Sequence, residues 1–143
     1  MDELDERILH QLEDGKIRYM GISKSVGVPV STVHSRVKRL EREKVIRKYT
    51  ADIDWRKAGL NVSAYILIDI DVDELKRLGK TQDKMLKELL GIMYVKEGSI
   101  ITGEHDLIIK VAAKDTLHLR EILLDYIGNV KGIKKTNAMV ILG

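Results

Sequence analysis

Two groups of side chains in this sequence are candidates for chemistry. The first is the run TGEHD, which sets Glu104, His105 and Asp106 side by side after Gly103 and invites a metal-binding or acid-base reading. Consecutive residues in a tight turn rarely converge on one ion. The remaining histidines, His10, His34 and His118, fall on expected helices without a partner at ligand spacing. With no cysteine in the chain, disulfides, thiolate catalysis and Cys-ligated zinc are excluded. No nucleophile motif, phosphate loop or dinucleotide fingerprint is present, so the residues support neither an enzyme nor a resident cofactor. The second group is VPVSTVHSRVKRLEREK, residues 28–44, whose hydroxyls, imidazole and cations suit contact with a polyanion.

That segment has helical periodicity. At about 100° per residue, Val37 and Leu40 fall within about 40° of Val33 and commit one side to a core. Ser31, Ser35, Lys38, Arg39 and Arg42 lie opposite, with Thr32 and His34 on the flanks. Short hydrogen-bonding groups occupy the N-terminal half of this face and cations the C-terminal half. Short polar groups near a helix start can approach base edges in the major groove, while longer cationic arms reach the phosphates beside it. Ser35 and His34 are therefore the base-edge candidates, with Ser31 and Thr32 near them, and Lys38, Arg39 and Arg42 the phosphate candidates. Arg36, at the edge of the buried face, suits a phosphate contact or a salt bridge equally. Arg47, Lys48 and Tyr49 extend the cationic run, although Tyr49 is equally a packing residue.

Charge is segregated along the chain. Met1–Asp14 carries six acids against Arg7, about −5, whereas Lys16–Lys48 carries ten cations against Glu41 and Glu43, about +8. The overall +3 conceals this contrast. Charged residues make up 33% while Asn and Gln together number five, a balance more frequent in proteins that work hot. No run approaches the roughly 18–20 apolar residues of a membrane span, and MDELDERIL is acidic where a signal peptide is basic. The sequence thus predicts a cytoplasmic protein with no membrane partner.

At 143 residues, two small domains fit the pattern better than one. Leu4, Ile8, Leu9 and Leu12 predict a first helix ending at Gly15. Met20–Val26 predicts a shorter second helix stopped by Gly27, and the third follows Pro29 to about Lys44. A helix, a tight Gly-containing turn and a second helix is how a helix-turn-helix presents its reader. VIRKYTADID predicts a strand or small wing, which closes a first domain over residues 1–54. WRKAGLN, residues 55–61, is the expected linker.

Residues 62–143 change character. VSAYILIDIDV alternates as a strand, with Val62, Ala64, Ile66, Ile68, Ile70 and Val72 on one face. A helix over Gln82–Leu90 capped by Thr81, a hairpin of IMYVKEGSII and DLIIKVAA about the TGEHD turn, a helix capped by Asp115 and a final strand IKKTNAMVIL complete the order β-α-β-β-α-β. This predicts an α+β chain, a winged helix-turn-helix followed by a ferredoxin-like βαββαβ domain. The second sheet face, with Tyr65, Leu67, Tyr94, Ile100 and Ile108 as candidates, is too apolar to leave bare and is expected to pack on another copy of the chain.

In LDERIL at the first helix, VG at 26–27, RVKRLE at 36–41, VIRKYTADID, GL at 59–60 and GEHD at 103–106, the chain resembles the Lrp/AsnC family of leucine-responsive, or feast/famine, transcriptional regulators. The resemblance spans nearly the whole length with the motifs in order. It implies a DNA-binding regulator responsive to a small effector, commonly an amino acid, held near Gly103, Glu104, His105 and Asp106. It also implies dimers that assemble to tetramers or octamers on double-stranded DNA. Two departures are visible. Pro29 stands where the family usually has a capping Ser, so that either Pro29 opens the third helix or Ser31 becomes its cap and a structural residue. Gly21 with Ser23 replaces better helix formers in the second helix. An architectural DNA binder of low sequence preference is the runner-up, and a small enzyme or metabolite-binding module the alternative from another class.

Overall fold

A computed structural model describes all residues, Met1–Gly143, and divides into two compact units, Met1–Asp52 and Ile53–Gly143. The first holds three helices: α1 Glu3–Glu13, α2 Tyr19–Val26 and α3 Val30–Arg42. Asp2 starts α1 by a reciprocal cap, its carboxylate accepting the Asp5 amide at 2.9 Å while the Asp5 carboxylate accepts the Asp2 amide at 3.0 Å. Gly27, at φ +73°, ends α2. Ser23 then has a use in the tight turn: its hydroxyl donates to the Val28 carbonyl at 2.5 Å. Ile8, Ile22, Val26, Val33 and Val37 form the core, flanked by Leu4, Leu12, Tyr19, Val28 and Ile46.

The strand expected in VIRKYTADID is not formed. Its β-branched residues have no neighbouring strand to pair with inside this unit, and isolated strand propensity does not make a ladder.

The second unit is a four-stranded antiparallel sheet in the order β2-β3-β1-β4, formed by β1 Val62–Ile70, β2 Val95–Ile100, β3 Leu107–Ala113 and β4 Ile133–Val140. The alternation predicted for β1 is observed, and Ala64, Ile66, Ile68 and Ile70 are buried beneath the helices. Leu107, Ile109 and Val111 join them from β3, and Leu75, Met85, Leu89, Leu119, Ile122 and Ile127 close the core from above. The expected helix is α5, Gln82–Leu90, with Thr81 as cap. The one after Asp115 is α6, Thr116–Glu121, and continues as a π-helical turn over Ile122–Ile127.

Three expectations are corrected here. Val72 does not extend β1: the Asp71 carboxylate accepts the Glu74 amide at 3.1 Å and starts a further helix, α4 Val72–Leu78, which leaves Val72 exposed. Tyr94 is not on the bare sheet face but packs on the helix side, edge-on to His118 and Tyr126 with ring centroids 4.4 and 5.8 Å away. Ile100 pairs with the buried Leu107, and directly opposed strand residues share a face, so it too is turned to the helices. The bare face carries Tyr65, Leu67 and Ile108, with Met139 opposite Tyr65.

Trp55–Gly59 form hydrogen-bonded turns, Leu60 is buried, and the Lys96 ammonium lies 3.6 Å from the centre of the Trp55 ring. Burial lowers the Lys96 pKa from its ordinary value. Gly132 is an exacting backbone position. Gly132 has φ +103°, and a Cβ there meets Leu75 Cδ2 at 2.5 Å and Met85 Cε at 2.8 Å. Gly132→Ala is expected to cost about 2 kcal/mol from left-handed strain and overpacking together, read as a lower urea midpoint.

Candidate nucleic-acid interface and effector loop

Helix α3 is placed by its buried stripe. Val33, Val37 and Leu40 are fully buried, and this turns Ser31, His34, Ser35, Lys38 and Arg42 to solvent. Thr32 is half-buried on the flank. His34 is steadied by Tyr19 of α2, whose ring it meets edge-on at 5.5 Å. No side chain caps the helix. Pro29 occupies the N-cap position, and its carbonyl accepts the Thr32 and Val33 amides at 3.0 and 3.2 Å. Neither expected arrangement holds, since Pro29 precedes the first helical residue and Ser31 makes no capping bond.

Two of the expected phosphate contacts are engaged elsewhere. Arg36 Nη1 donates to Asp2 Oδ2 at 2.6 Å and Asp5 Oδ1 at 3.2 Å, and Arg39 Nη2 donates to Asp5 Oδ2 at 2.5 Å. The salt-bridge alternative for Arg36 therefore holds, and the expectation of a free Arg39 is corrected. Both residues lie toward the side of α3 that meets the start of α1. Asp5 itself is 1% exposed. Burial opposes its ionisation, but the Asp2 amide and both guanidiniums outweigh that and bring its pKa down to about 2. The Arg36 hydrogen bond holds the exposed Asp2 carboxyl low as well. In the sequence these acids register only as part of the negative segment Met1–Asp14. The missed signal is the pairing of D-x-x-D with two arginines three residues apart.

The other cations differ in kind. Lys38 reaches only Glu41, at 3.7 Å on the surface, a contact worth a few tenths of a kcal/mol at most. Arg42, Lys44, Arg47 and Lys48 are exposed and make no ion pair. Tyr49 is exposed and donates its hydroxyl to Glu41 at 3.3 Å. Lys44 follows the end of α3 with φ +62° and is the one non-glycine residue at positive φ, a conformation that costs an L residue about 1 kcal/mol.

In the second unit, the turn between β2 and β3 is stitched to the end of β1. The Asp106 amide donates to the Ile68 carbonyl at 3.0 Å, and one Asp106 carboxylate oxygen accepts the Ile70 amide at 2.9 Å. One oxygen of the Asp106 carboxylate is thus engaged within the chain. His105 Nδ1 lies 2.8 Å from Asp69 Oδ1, a partner not anticipated from the sequence because it stands 36 residues earlier on β1. Gly103, at φ +119°, and Glu104 are exposed at the tip. Glu104, His105 and Asp106 thus do not converge on a shared point, and the loop offers exposed backbone and one carboxylate beside a His–Asp pair.

A helix-turn-helix with a cationic, outward-facing second helix, followed by an antiparallel split βαβ module, defines a two-part transcriptional regulator. Comparison with known proteins makes this specific. Residues 1–41 match the AsnC-type helix-turn-helix domain and residues 63–143 the Lrp/AsnC ligand-binding domain. An HTH-type transcriptional regulator of Pyrococcus furiosus is 37% identical over 142 residues, covering 99% of this chain and 91% of the relative. The regulator FL11 of the same organism is 32% identical, covering 99% and 89%. Among solved structures, a Neisseria meningitidis transcriptional regulator in complex with L-methionine superposes with a TM-score of 0.84 at 22% identity, covering 100% of this chain and 90% of that one. A feast or famine regulatory protein of Mycobacterium tuberculosis complexed with L-methionine superposes at 0.82 with 26% identity, covering 99% and 92%. The chain belongs to the Lrp/AsnC family of DNA-binding transcriptional regulators, and it is not an enzyme.

Proposed function

We propose that this regulator binds specific duplex sites through α3 and that an amino acid or a close chemical relative, held at the Gly103–Asp106 loop, alters that binding. Residues 1–54 act as the reader and 62–143 as the effector and assembly domain, joined through 55–61. The observation that carries the reading is the division of labour on α3: Arg36 and Arg39 are tied to the chain's own acids, while Ser35, His34, Lys38 and Arg42 face outward. Ser31 and Thr32 stand at the base-reading end and Arg47 beyond the cationic end. The methionine held by the two solved relatives supports an amino acid as effector here. The protein acts in the cytoplasm, on double-stranded DNA.

The bare sheet face supports a self-associating regulator. Tyr65, Leu67, Ile108 and Met139 would be covered by the same face of a second copy, and a two-fold dimer presents two readers to half-sites one or more helical turns apart, with tetramers or octamers built from such dimers. An effector changes DNA binding only by binding one arrangement of copies more tightly than another.

The test has two arms. Duplexes selected from a random pool are expected to converge on a palindrome, and the enriched set to change when one amino acid is added. The same amino acid is expected to raise the thermal midpoint, by the equivalent of about 2.7 kcal/mol at one hundred times its Kd. Gly103→Val, which puts a β-branched side chain at φ +119°, is expected to abolish that rise. A pool that never converges would favour architectural binding, and a midpoint unmoved by all twenty amino acids would remove the effector part.

A further inference from the structure

The left-handed residue after the reading helix carries an inference beyond the residues assigned so far. Seven residues have positive φ, and six of them are glycine: Gly15, Gly27, Gly59, Gly79, Gly103 and Gly132. Helices α2 and α4 end on glycine at this conformation. The seventh position is Lys44, just beyond α3, and there the chain keeps a strained side chain where glycine would fit without strain.

The conformation itself is required. Lys44 donates its amide to the Glu41 carbonyl at 3.1 Å, and Val45 and Ile46 both donate to the Leu40 carbonyl, at 3.0 and 3.1 Å. This reversal returns Ile46 to the core of the first unit. Glycine would make the same bonds, so the backbone does not explain the lysine. Nor does an ion pair, because none of the salt bridges includes it. A cation does favour a helix C-terminus, but Arg39 and Arg42 already supply two in the last turn. What distinguishes the site is its place, at the C-terminal end of the outward cationic face and between the unpaired Arg42 and the unpaired Arg47 and Lys48.

We infer that Lys44 is a DNA-contacting residue, its ammonium seated on a backbone phosphate beside the end of α3, and that backbone strain is accepted at this position for that contact. The inference rests on the proposed reading of α3 as the DNA reader. Stored strain is informative here because the structure pinpoints the residue first and the function is argued from it. The contact carries no base information and adds to affinity in a salt-dependent way.

Lys44→Gly tests this with effects of opposite sign. Its thermal midpoint is expected to rise by about 2–5 °C, since strain is relieved. Its affinity for a duplex selected from the random pool is expected to fall about five- to tenfold per bound subunit at 0.1 M salt, with a salt slope shallower by about one per subunit. Lys44→Asn, which keeps a residue tolerant of the left-handed region and removes the charge, is expected to lose the same affinity. If either variant binds DNA as wild type does, with an unchanged salt slope, the inference is overturned whatever happens to the midpoint. The wild type and Arg42→Ala separate the two claims. Wild-type binding weakened by Arg42→Ala but not by Lys44→Gly leaves the reader in place and removes Lys44. A wild type that binds no duplex removes both.

Discussion

A chain carrying Lys38→Ala and Arg42→Ala together is expected to bind its duplex roughly 50- to 100-fold more weakly per subunit at 0.1 M salt, with a salt slope shallower by about two. Each of the two cations is exposed at the C-terminal half of the outward face, and neither is held by a strong intramolecular partner. Neutralising one phosphate releases about 0.9 of a counterion, which at this salt is close to a tenfold effect. The thermal midpoint is expected to stay within about 2 °C of wild type, because surface pairs such as Lys38–Glu41 contribute little to folding. Titration of labelled duplex at several salt concentrations, beside a melting curve, reads both quantities. An unchanged slope would show that the duplex does not lie along these side chains.

Removal of the buried carboxylate that fastens α3 has the opposite profile. Asp5→Ala withdraws the acceptor shared by Arg36 and Arg39 and leaves the Asp2 amide without its reciprocal cap. A loss of about 3 kcal/mol is expected in urea unfolding of the intact chain, toward the lower end for a broken buried pair because both arginines keep part of their surface in water. The same carboxylate makes folding acid-sensitive. Its folded pKa of about 2 lies below the ordinary value of 3.8, so the unfolded chain takes up the proton first. Its contribution is therefore complete above about pH 4 and is lost as the pH falls toward 2. In Asp5→Asn that portion of the acid dependence is expected to vanish. A pH–stability profile superimposable on wild type would remove Asp5 from this role.

These two results separate cations that look alike in the sequence. Helical periodicity places Val33, Val37 and Leu40 inside, and it predicts which residues point outward, because a single helix face is a local property. Arg39 and Arg42 differ only in what stands opposite them, and that partner, Asp5, is a long-range fact. The same limit explains the loop. GEHD is legible as a turn from its Gly103, but the Asp69 partner of His105 and the Ile70 amide held by Asp106 come from a strand more than thirty residues away. In the sheet, two-residue alternation gives the buried set of β1, whereas the facing of Tyr94 and Ile100 depends on register with β3 and on the helix above. Helix α4 was legible in principle. Asp71 followed by Asp73, Glu74 and a terminal Gly79 is a capped helix, masked by the apolar-polar alternation that leads into it. The failed strand after Lys44 shows the converse, since β-branched composition alone supplies no pairing partner.

The central claim is that DNA lies on the outward face of α3. Side-chain protection of the intact protein from hydroxyl-radical oxidation, with and without saturating duplex, tests it most directly. The account predicts protection at His34 and at Tyr19, whose ring His34 meets, and little change at Tyr126 and Met93, which are exposed in the second unit. Protection confined to the second unit, with His34 and Tyr19 as reactive in the complex as in the free protein, would contradict it.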